Sequence, residues 1–291
     1  MPVPVENLRA IMLAAGGFFL FAAGDAVAKL LTSTLDPIQI AFARQSGLLV
    51  GVLVLLAIRG PSVLRTRRPV LQVLRGALTA VSVSFFFVAI AHVPLADASA
   101  MTFVAPFFVT VMGALVLREP VGARRWIAVA LGFTGTLIVL RPGLGAVHPA
   151  AGFAVLSAAC FASRQLISRL LSGVDPLATT VAYSALSASG LLLLAMPFVW
   201  VTPTEARIWG LLGLIALTAG LAEFLMIKAL EIGNAVAVAP IQYSQIIWTT
   251  FYGWMLFAQL PDMWTVTGAA IIIATGAHSI NRERLAARAR R

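Results

Sequence analysis

Residues 235–258 read AVAVAPIQYSQIIWTTFYGWMLFA, and this stretch decides the fold class. It is long enough and apolar enough to cross a bilayer as one helix, which takes about 20 residues at about 1.5 Å each. Polar and ring side chains nevertheless lie near its middle: Gln242, Tyr243, Ser244, Gln245 and Trp248, just after Pro240. Because hydrocarbon offers these groups no water, they should face a cavity or a neighbouring helix. The stretch therefore predicts a transmembrane helix that carries either part of a solute site or hydrogen bonds between helices.

The rest of the chain is just as apolar. Of its 291 residues, 60% are hydrophobic and 11% are charged, against about 25% charged residues in soluble domains. The mean hydropathy is +0.96. A net charge of +10 could suggest nucleic-acid binding, but the arginines cluster between apolar segments, and membrane orientation explains that pattern better. The composition predicts a polytopic membrane protein without a nucleic-acid partner.

Ten apolar segments, separated by breaks rich in proline, glycine and aspartate, can be drawn as membrane spans. They run roughly over 8–31, 37–58, 70–91, 95–117, 123–140, 150–172, 177–200, 207–230, 235–258 and 263–280. The predicted fold class is therefore all-α, with ten transmembrane helices. The connections are too short for a soluble domain. The first segment lacks the basic start and cleavage site of a signal peptide, so we expect it to be retained as a span.

Arginine counts give the expected orientation. Arginines are concentrated in the connections 59–75 and 118–125 and in the tail 282–291. All three regions fall on one side of the membrane if the ten spans alternate in direction. By the positive-inside rule, the N- and C-termini should both be cytoplasmic and the protein should lie in the inner membrane.

The sequence also repeats itself at an offset of about 140 residues. The tetrapeptide ALTA occurs at 77–80 and again at 216–219, and Lys29-Leu30-Leu31 before Asp36-Pro37 matches Arg169-Leu170-Leu171 before Asp175-Pro176. These matches predict a first five-helix repeat over 1–141, a second over 150–281 and a basic cytoplasmic tail over 282–291. Since five is odd, the two repeats must insert in opposite senses, which is an architecture of secondary transporters.

Several motifs carry a resemblance to a known family. They are Val93-Pro94-Leu95-Ala96-Asp97-Ala98, Pro106, Leu117-Arg118-Glu119-Pro120, Pro240-Ile241-Gln242-Tyr243 and Leu260-Pro261-Asp262-Met263-Trp264. With the doubled five-span unit, they make the chain resemble the ten-helix carriers of the drug/metabolite transporter superfamily, EamA type, including its YddG-like amino-acid exporter branch. The resemblance implies alternating-access transport. Similar members export aromatic and other amino acids, or carry S-adenosylmethionine, riboflavin or choline-like solutes.

Charges inside the first two spans are candidates for gating residues or for an ion pair, since each costs at least about 2.5 kcal/mol near the bilayer centre. Asp25 and Lys29 lie four residues apart on one face of span 1, which favours an ion pair between them. Arg44 lies about two turns into span 2. The predicted orientation puts all three in the outer half. Structural ion pairing between helices is the alternative to a gating role.

A second group of residues could bind the solute. An amino acid needs arginine for its carboxylate, a carboxylate or an aromatic face for its ammonium, and apolar walls. The chain can supply these with Arg164, Glu223, Gln242, Tyr243, Gln245, Trp248, Tyr183 and Phe107. Pro106 and Pro240 should break spans 4 and 9 near mid-membrane and free carbonyls for hydrogen bonding. Arg164 and Glu223 could instead form a structural ion pair.

The sequence thus predicts a secondary transporter that moves amino acids or related small metabolites, with export as the expected direction. Uptake of a nucleoside- or vitamin-like solute such as S-adenosylmethionine or riboflavin is the alternative. We expect no enzyme activity, because the chain has no G-x-S-x-G or H-E-x-x-H motif, and no ATP-binding loop, cofactor or metal. The expected partners are a small-molecule solute and membrane lipid. A monomer and a homodimer packed through the small residues of spans 5 and 10 both fit the sequence.

Overall fold

A computed structural model describes most of the chain. It excludes residues 1–4, 117, 119–121, 141–147, 172, 233–237 and 276–291, and the side chains of residues 5–7, 124, 125, 128, 239 and 240. The predicted basic tail over 282–291, the Glu119 motif position and the side chain of Pro240 therefore lie outside the described residues.

Helices occupy all ten predicted spans, which confirms the all-α class. The α-helices are α1 (Val5–Leu31), α2 (Pro37–Arg59), α3 (Pro69–His92), α4 (Leu95–Thr102), α5 (Ala105–Val116), α6 (Ala123–Leu140), α7 (Ala151–Leu171), α8 (Leu177–Val199), α9 (Ala206–Ile232), α10 (Ser244–Phe257) and α11 (Met263–Thr275). Two 3₁₀ helices span Pro61–Leu64 and Ala239–Tyr243. Among the described residues, seven helical stretches are long and apolar enough to cross a membrane, with α4 and α5 counted together.

Two of the predicted spans are not continuous α-helices. The chain leaves helical geometry at Phe103–Val104, directly before Pro106, so that span 4 consists of α4 and α5. In span 9, Ala239–Tyr243 is a 3₁₀ helix that begins around Pro240. Because proline has no N–H to donate and its ring crowds the preceding turn, it kinks or breaks an α-helix when it lies in the interior; here the helix is interrupted near Pro106 and Pro240, whereas α8 continues through Pro197. At about 1.5 Å per residue, α10 alone is about 21 Å long, shorter than the hydrocarbon core of about 30 Å.

The helices pack in a pattern that is preserved when the two halves are exchanged. The first half places α1 against α9, and the second half correspondingly places α7 against α3. Likewise α2 packs on α9, and its equivalent α8 packs on α3. Helix α1 contacts α10, and its equivalent α7 contacts α4 and α5. Such reciprocal contacts are what two inverted repeats produce.

Two close helix crossings illustrate this exchange. A β-carbon at Gly47 of α2 would overlap the backbone of Ala216 in α9, and one at Gly76 of α3 would overlap the side chain of Ser187 in α8. Ser187 follows Gly47 by 140 residues, and Ala216 follows Gly76 by the same distance in the sequence. The two crossings are therefore equivalent positions of the repeat, and both depend on the missing side chain of a glycine.

The interior is rich in small residues, and many large apolar side chains lie on the outside. The largest buried cluster is rich in alanine, whereas Ile58, Phe198 and Met263 are 77–87% exposed. In water such a surface would drive aggregation, but in hydrocarbon it is solvated, and close helix packing supplies the association energy instead. The chain is a multi-pass membrane protein.

Asp175, in the connection between α7 and α8, holds the connection between α2 and α3 at the same end of the bundle. Its carboxylate accepts hydrogen bonds from Thr66 Oγ1 at 2.5 Å, from Gln72 Nε2 at 2.9 Å and from the backbone N–H of Arg67 at 3.4 Å. The hydrogen bonds from Thr66 and Gln72 hold the pKa of Asp175 below its usual value. This contact joins the two halves at the ends of the membrane-spanning helices.

We expect Gly47→Ala to destabilise the folded protein by about 1–3 kcal/mol, the usual cost of overpacking, because the α2–α9 crossing must open. Gly51→Ala is the matched control, since a β-carbon at this position on α2 meets no atom within 4 Å. Thermal unfolding in detergent compares the two variants. Equal melting temperatures would contradict the close crossing.

Asp175→Ala should lower the melting temperature at neutral pH, and the loss should shrink in acid. A carboxyl whose folded pKa is depressed stabilises the protein fully above its unfolded pKa of about 3.9, and the contribution disappears as the pH falls through the lower folded pKa. Melting curves between pH 7 and pH 3 test this for the wild type, Asp175→Ala and Thr66→Val, which removes a donor to the same carboxylate. A difference that does not change with pH would rule out this account.

Candidate functional site

A buried carboxylate connects three helices in the interior of the bundle. Asp25 of α1 is 2% exposed, and its Oδ1 lies 2.5 Å from Nη1 of Arg44 in α2. The amide Nε2 of Gln245, in α10, donates to Oδ2 of the same carboxylate at 2.9 Å. These three residues form the Asp25 cluster, in which helices of both halves meet at one carboxylate.

The Asp25 cluster lies well inside the membrane-spanning part of the helices. Asp25 precedes the end of α1 at Leu31 by six residues, about 9 Å, and Arg44 follows the start of α2 at Pro37 by seven, about 10 Å. The guanidinium of Arg44 also lies 5.4 Å and 5.6 Å from the ring centroids of Phe21 and Phe87. Opposite charge and aromatic faces thus replace water around both ionised groups.

Lys29 does not take the role that its spacing from Asp25 suggests. Its Nζ donates to the carbonyl oxygens of Ile90 at 2.8 Å and Val93 at 2.5 Å, and lies 5.5 Å from the ring centroid of Phe257. It also interacts electrostatically with Asp97 of α4. The carbonyls at the end of α3 carry the negative end of the helix dipole, so Lys29 joins α1 to α3 and α4 while Arg44 neutralises Asp25.

A second charged group, the Glu223 cluster, consists of Arg75 of α3, Arg164 of α7 and Glu223 of α9. Arg75 Nε donates to Oγ of Ser168 at 2.8 Å, and its Nη1 donates to Ser184. Ser168 lies one helical turn after Arg164, on the same face of α7, and the guanidinium of Arg164 lies 4.7 Å from the ring of Phe161. Glu223 interacts electrostatically with both arginines. All three side chains remain partly exposed.

Sequence reasoning missed Arg75 as a site residue, because it was counted with the basic connection 59–75. The signal that could have revealed it is its distance from the helix start: Arg75 follows Pro69 by six residues, about 9 Å into α3. An arginine that deep requires a partner inside the bundle.

The two clusters lie at different depths along the paired helices α1 and α9. A β-carbon at Gly24, next to Asp25, would lie 3.1 Å from Oγ1 of Thr218. Glu223 follows Thr218 by five residues on α9, a distance of about 8 Å along the helix axis. The charged groups are therefore arranged in two layers rather than in one ring.

The predicted polar face of span 9 is buried and partly unpaired. The Oγ of Ser244 and the indole Nε1 of Trp248 are buried, with no hydrogen-bond partner among the residues that the structure describes. These residues are four apart and share one face of α10. Trp248 packs edge-on against Phe19 with 5.1 Å between ring centroids, and Tyr243 lies 5.5 Å from Phe103. Buried donors and acceptors that lack partners are costly, and they mark a place for a ligand or water. Gln242 precedes this group and is only partly buried.

Two predicted site residues make no polar contact with either cluster within the described part of the chain and have other contacts. Tyr183 donates its hydroxyl to the carbonyl of Leu64 at 3.1 Å, which anchors the first 3₁₀ helix. Phe107 belongs to a small buried cluster with Ile272, and a β-carbon at Gly132 would overlap its ring. Both contacts are those of packing residues. The described residues contain no group of three or more histidine, cysteine, aspartate or glutamate side chains that could hold a metal ion.

Comparison with known proteins identifies the family. The model of the EamA-like transporter family matches residues 8–141 and again residues 148–277. The chain belongs to this family. The match covers nearly the whole chain, in two copies, and confirms the resemblance drawn from its motifs.

The named relatives transport different small molecules. An S-adenosylmethionine uptake transporter of Rickettsia bellii is 27% identical over 92% of this chain and 93% of its own length. The pseudopaline exporter CntI of Pseudomonas aeruginosa is 30% identical over 90% and 93%, and a riboflavin transporter of Brucella anthropi is 28% identical over 84% and 88%. A crystal structure that covers 95% of this EamA-family chain and 98% of its own has a TM-score of 0.64 at 18% identity, which shows a common fold.

We expect Asp25→Asn to destabilise this EamA-family protein by about 3–5 kcal/mol, because it leaves the charge of Arg44 buried without a counter-charge. The double variant Asp25→Asn/Arg44→Gln should be more stable than the sum of the single losses predicts. A double-mutant cycle from thermal unfolding in detergent measures this coupling. Additive losses would contradict a direct ion pair.

Proposed function

We propose that this member of the EamA-like family is a secondary transporter of the inner membrane, with both termini in the cytoplasm. It moves amino acids or related small metabolites, and net export is the expected direction. The observation that supports this most is the polar face of α10, where Ser244 Oγ and Trp248 Nε1 are buried with no hydrogen-bond partner among the described residues. They lie beside Gln245, which donates to Asp25. Since hydrocarbon supplies no hydrogen bonds, a solute is the natural partner for such a face.

The proposed site suits a solute with an ammonium and a carboxylate group. Arg164 can pair with the carboxylate and Glu223 with the ammonium. Tyr243 and Trp248 offer aromatic faces to a cation or to the solute's side chain, and the amides of Gln242 and Gln245 can donate and accept hydrogen bonds. Arg75 adds a second cation beside Arg164.

Alternating access would move the two repeats, 1–141 and 150–281, against each other. The contacts α1–α9 and α3–α7 both run between the repeats, so a rocking motion about them would open one end while it closes the other. The Asp25 cluster holds α1 and α2 of the first repeat to α10 of the second. It is therefore placed to act as a gate or as a solute contact. We take the chain to act by transport alone, without catalysis or a cofactor.

Uptake of a nucleoside- or vitamin-like solute is the second candidate function, and the names of the relatives favour it. The Rickettsia relatives are named for S-adenosylmethionine uptake and the Brucella relative for riboflavin. S-adenosylmethionine carries an α-amino acid group on a nucleoside, so the same charged residues could bind it.

Uptake of labelled solutes into liposomes that contain the purified protein tests the proposal. The panel holds amino acids, S-adenosylmethionine and riboflavin, with and without an imposed pH gradient. We expect Gln245→Ala to lower the initial rate about tenfold, because the loss of one hydrogen bond to a charged group is worth about 1.5–3 kcal/mol. Glu223→Gln should lower it similarly for solutes with an ammonium group.

Gln165→Ala is the matched control. Gln165 is exposed on α7, so this variant should transport like the wild type. Uptake of amino acids that Gln245→Ala reduces would support the first candidate, and uptake of riboflavin or S-adenosylmethionine alone would support the second. No uptake of any solute above that of empty liposomes would refute both.

A further inference from the structure

Within the described part of the chain, the charges of the Glu223 cluster do not balance. In the Asp25 cluster, Asp25 and Arg44 neutralise each other. Outside this cluster, Lys29 interacts with Asp97. In the Glu223 cluster two guanidinium groups share one carboxylate. Among the side chains that the structure describes, Glu223 is the carboxylate that interacts with Arg75 and Arg164. One positive charge is therefore left without a counter-charge.

The geometry of the Glu223 cluster holds this extra charge in place. Arg75 is fixed by Ser168 of α7 and Ser184 of α8. Both acceptors are neutral hydroxyls, which orient the guanidinium without supplying negative charge. Arg164 lies one turn before Ser168 and about 10 Å from the end of α7 at Leu171. The two guanidiniums are thus brought to one face of α7, deep enough to need a counter-charge.

We propose that Arg75 and Arg164 together bind a carboxylate of the transported solute, so that the solute class is one with at least one carboxylate group. This inference rests on the proposed transport function and extends it to Arg75, which the sequence did not single out. Guanidinium groups suit this task because their N–H donors match the two oxygens of a carboxylate. The partial exposure of the three side chains leaves room for the solute to reach them.

A consequence for the transport cycle follows from the charge balance. When the bound solute brings a carboxylate and no ammonium group, the Glu223 cluster is neutral; when the cluster is empty, it carries one uncompensated positive charge. An uncompensated charge is costly to enclose in a low-dielectric interior. The loaded protein should therefore change its orientation more readily than the empty one, and exchange of solute for solute should be faster than net flux.

Three variants test the site in proteoliposomes against a matched pair of solutes, an N-acetylated amino acid and its amide, which carry no ammonium group and differ in the carboxylate alone. The wild type should transport the acid about tenfold faster than the amide, since one charge-assisted pair corresponds to about that ratio. Arg164→Gln and Arg75→Gln should bring the two rates together, and both should lower the ratio of exchange to net flux. Arg75→Lys keeps the charge but not the paired N–H donors, and it should keep a reduced preference for the acid.

Arg59→Gln serves as the control, because Arg59 is an exposed arginine at the end of α2 and its loss should change neither ratio. An unchanged acid preference in both glutamine variants would overturn the proposal. So would a preference that is lost in Arg75→Lys as well, since a structural role would then explain the loss.

An inorganic anion could supply the same negative charge as the solute's carboxylate. Measurements with and without chloride distinguish these two sources. Transport in chloride is compared with transport in gluconate. If the arginine variants abolish a chloride dependence but leave the acid preference intact, the cluster binds the inorganic anion and the proposal fails. Thermal stabilisation of the purified protein by the acid and not by the amide, lost in both glutamine variants, would support the carboxylate site even if no transport were measured. In that case the proposed function alone would fail.

Discussion

The hydrocarbon around this bundle has no water to offer, so a buried polar group that finds no partner within the protein is costly. The carboxylate of Asp25 shows most clearly what that cost does to the structure. It takes an ion pair from Arg44 and a hydrogen bond from Gln245, so three helices from two repeats are held in one arrangement. For the same reason Lys29 donates hydrogen bonds to the free carbonyls at the end of α3, and Arg75 donates to two serine hydroxyls. Close glycine crossings then bring the helices near enough for these contacts.

Much of the fold could be predicted, because the lengths of the apolar segments and their order depend on the sequence alone. Length and apolar composition placed the ten spans, and an offset of about 140 residues revealed the repeat that the reciprocal crossings at Gly47 and Gly76 reproduce. Averaged hydropathy is insensitive to backbone geometry, however. It joined α4 to α5 and the 3₁₀ helix Ala239–Tyr243 to α10, although Pro106 and Pro240 were recognised as breaks. The interruptions change which side chains share a face, and so they matter for the site more than for the topology.

The candidate site was harder to predict, because its contacts run between helices. The spacing of Asp25 and Lys29 correctly puts both on one face of α1, but it contains no information about the rotation or depth of α2, which delivers Arg44 to Asp25 instead. Arg75 was assigned to a connection for a similar reason. An arginine near the end of a span can extend its side chain to the surface or turn inward, and only the positions of α7 and α8 decide between these outcomes.

The scaffold is symmetric, whereas its charges are not. The position equivalent to Arg44 in the second repeat holds Ser184, and the position equivalent to Arg75 holds Ile215. Arg44 pairs with the carboxylate of Asp25 in the first half. Its equivalent in the second half, Ser184, instead accepts a hydrogen bond from the guanidinium of Arg75. One layer is consequently neutral and the other carries an extra positive charge, about 8 Å apart along α9. In the transport cycle that we propose, symmetric packing would give the two orientations similar energies, and the difference between the empty and the loaded protein would then come from these few side chains.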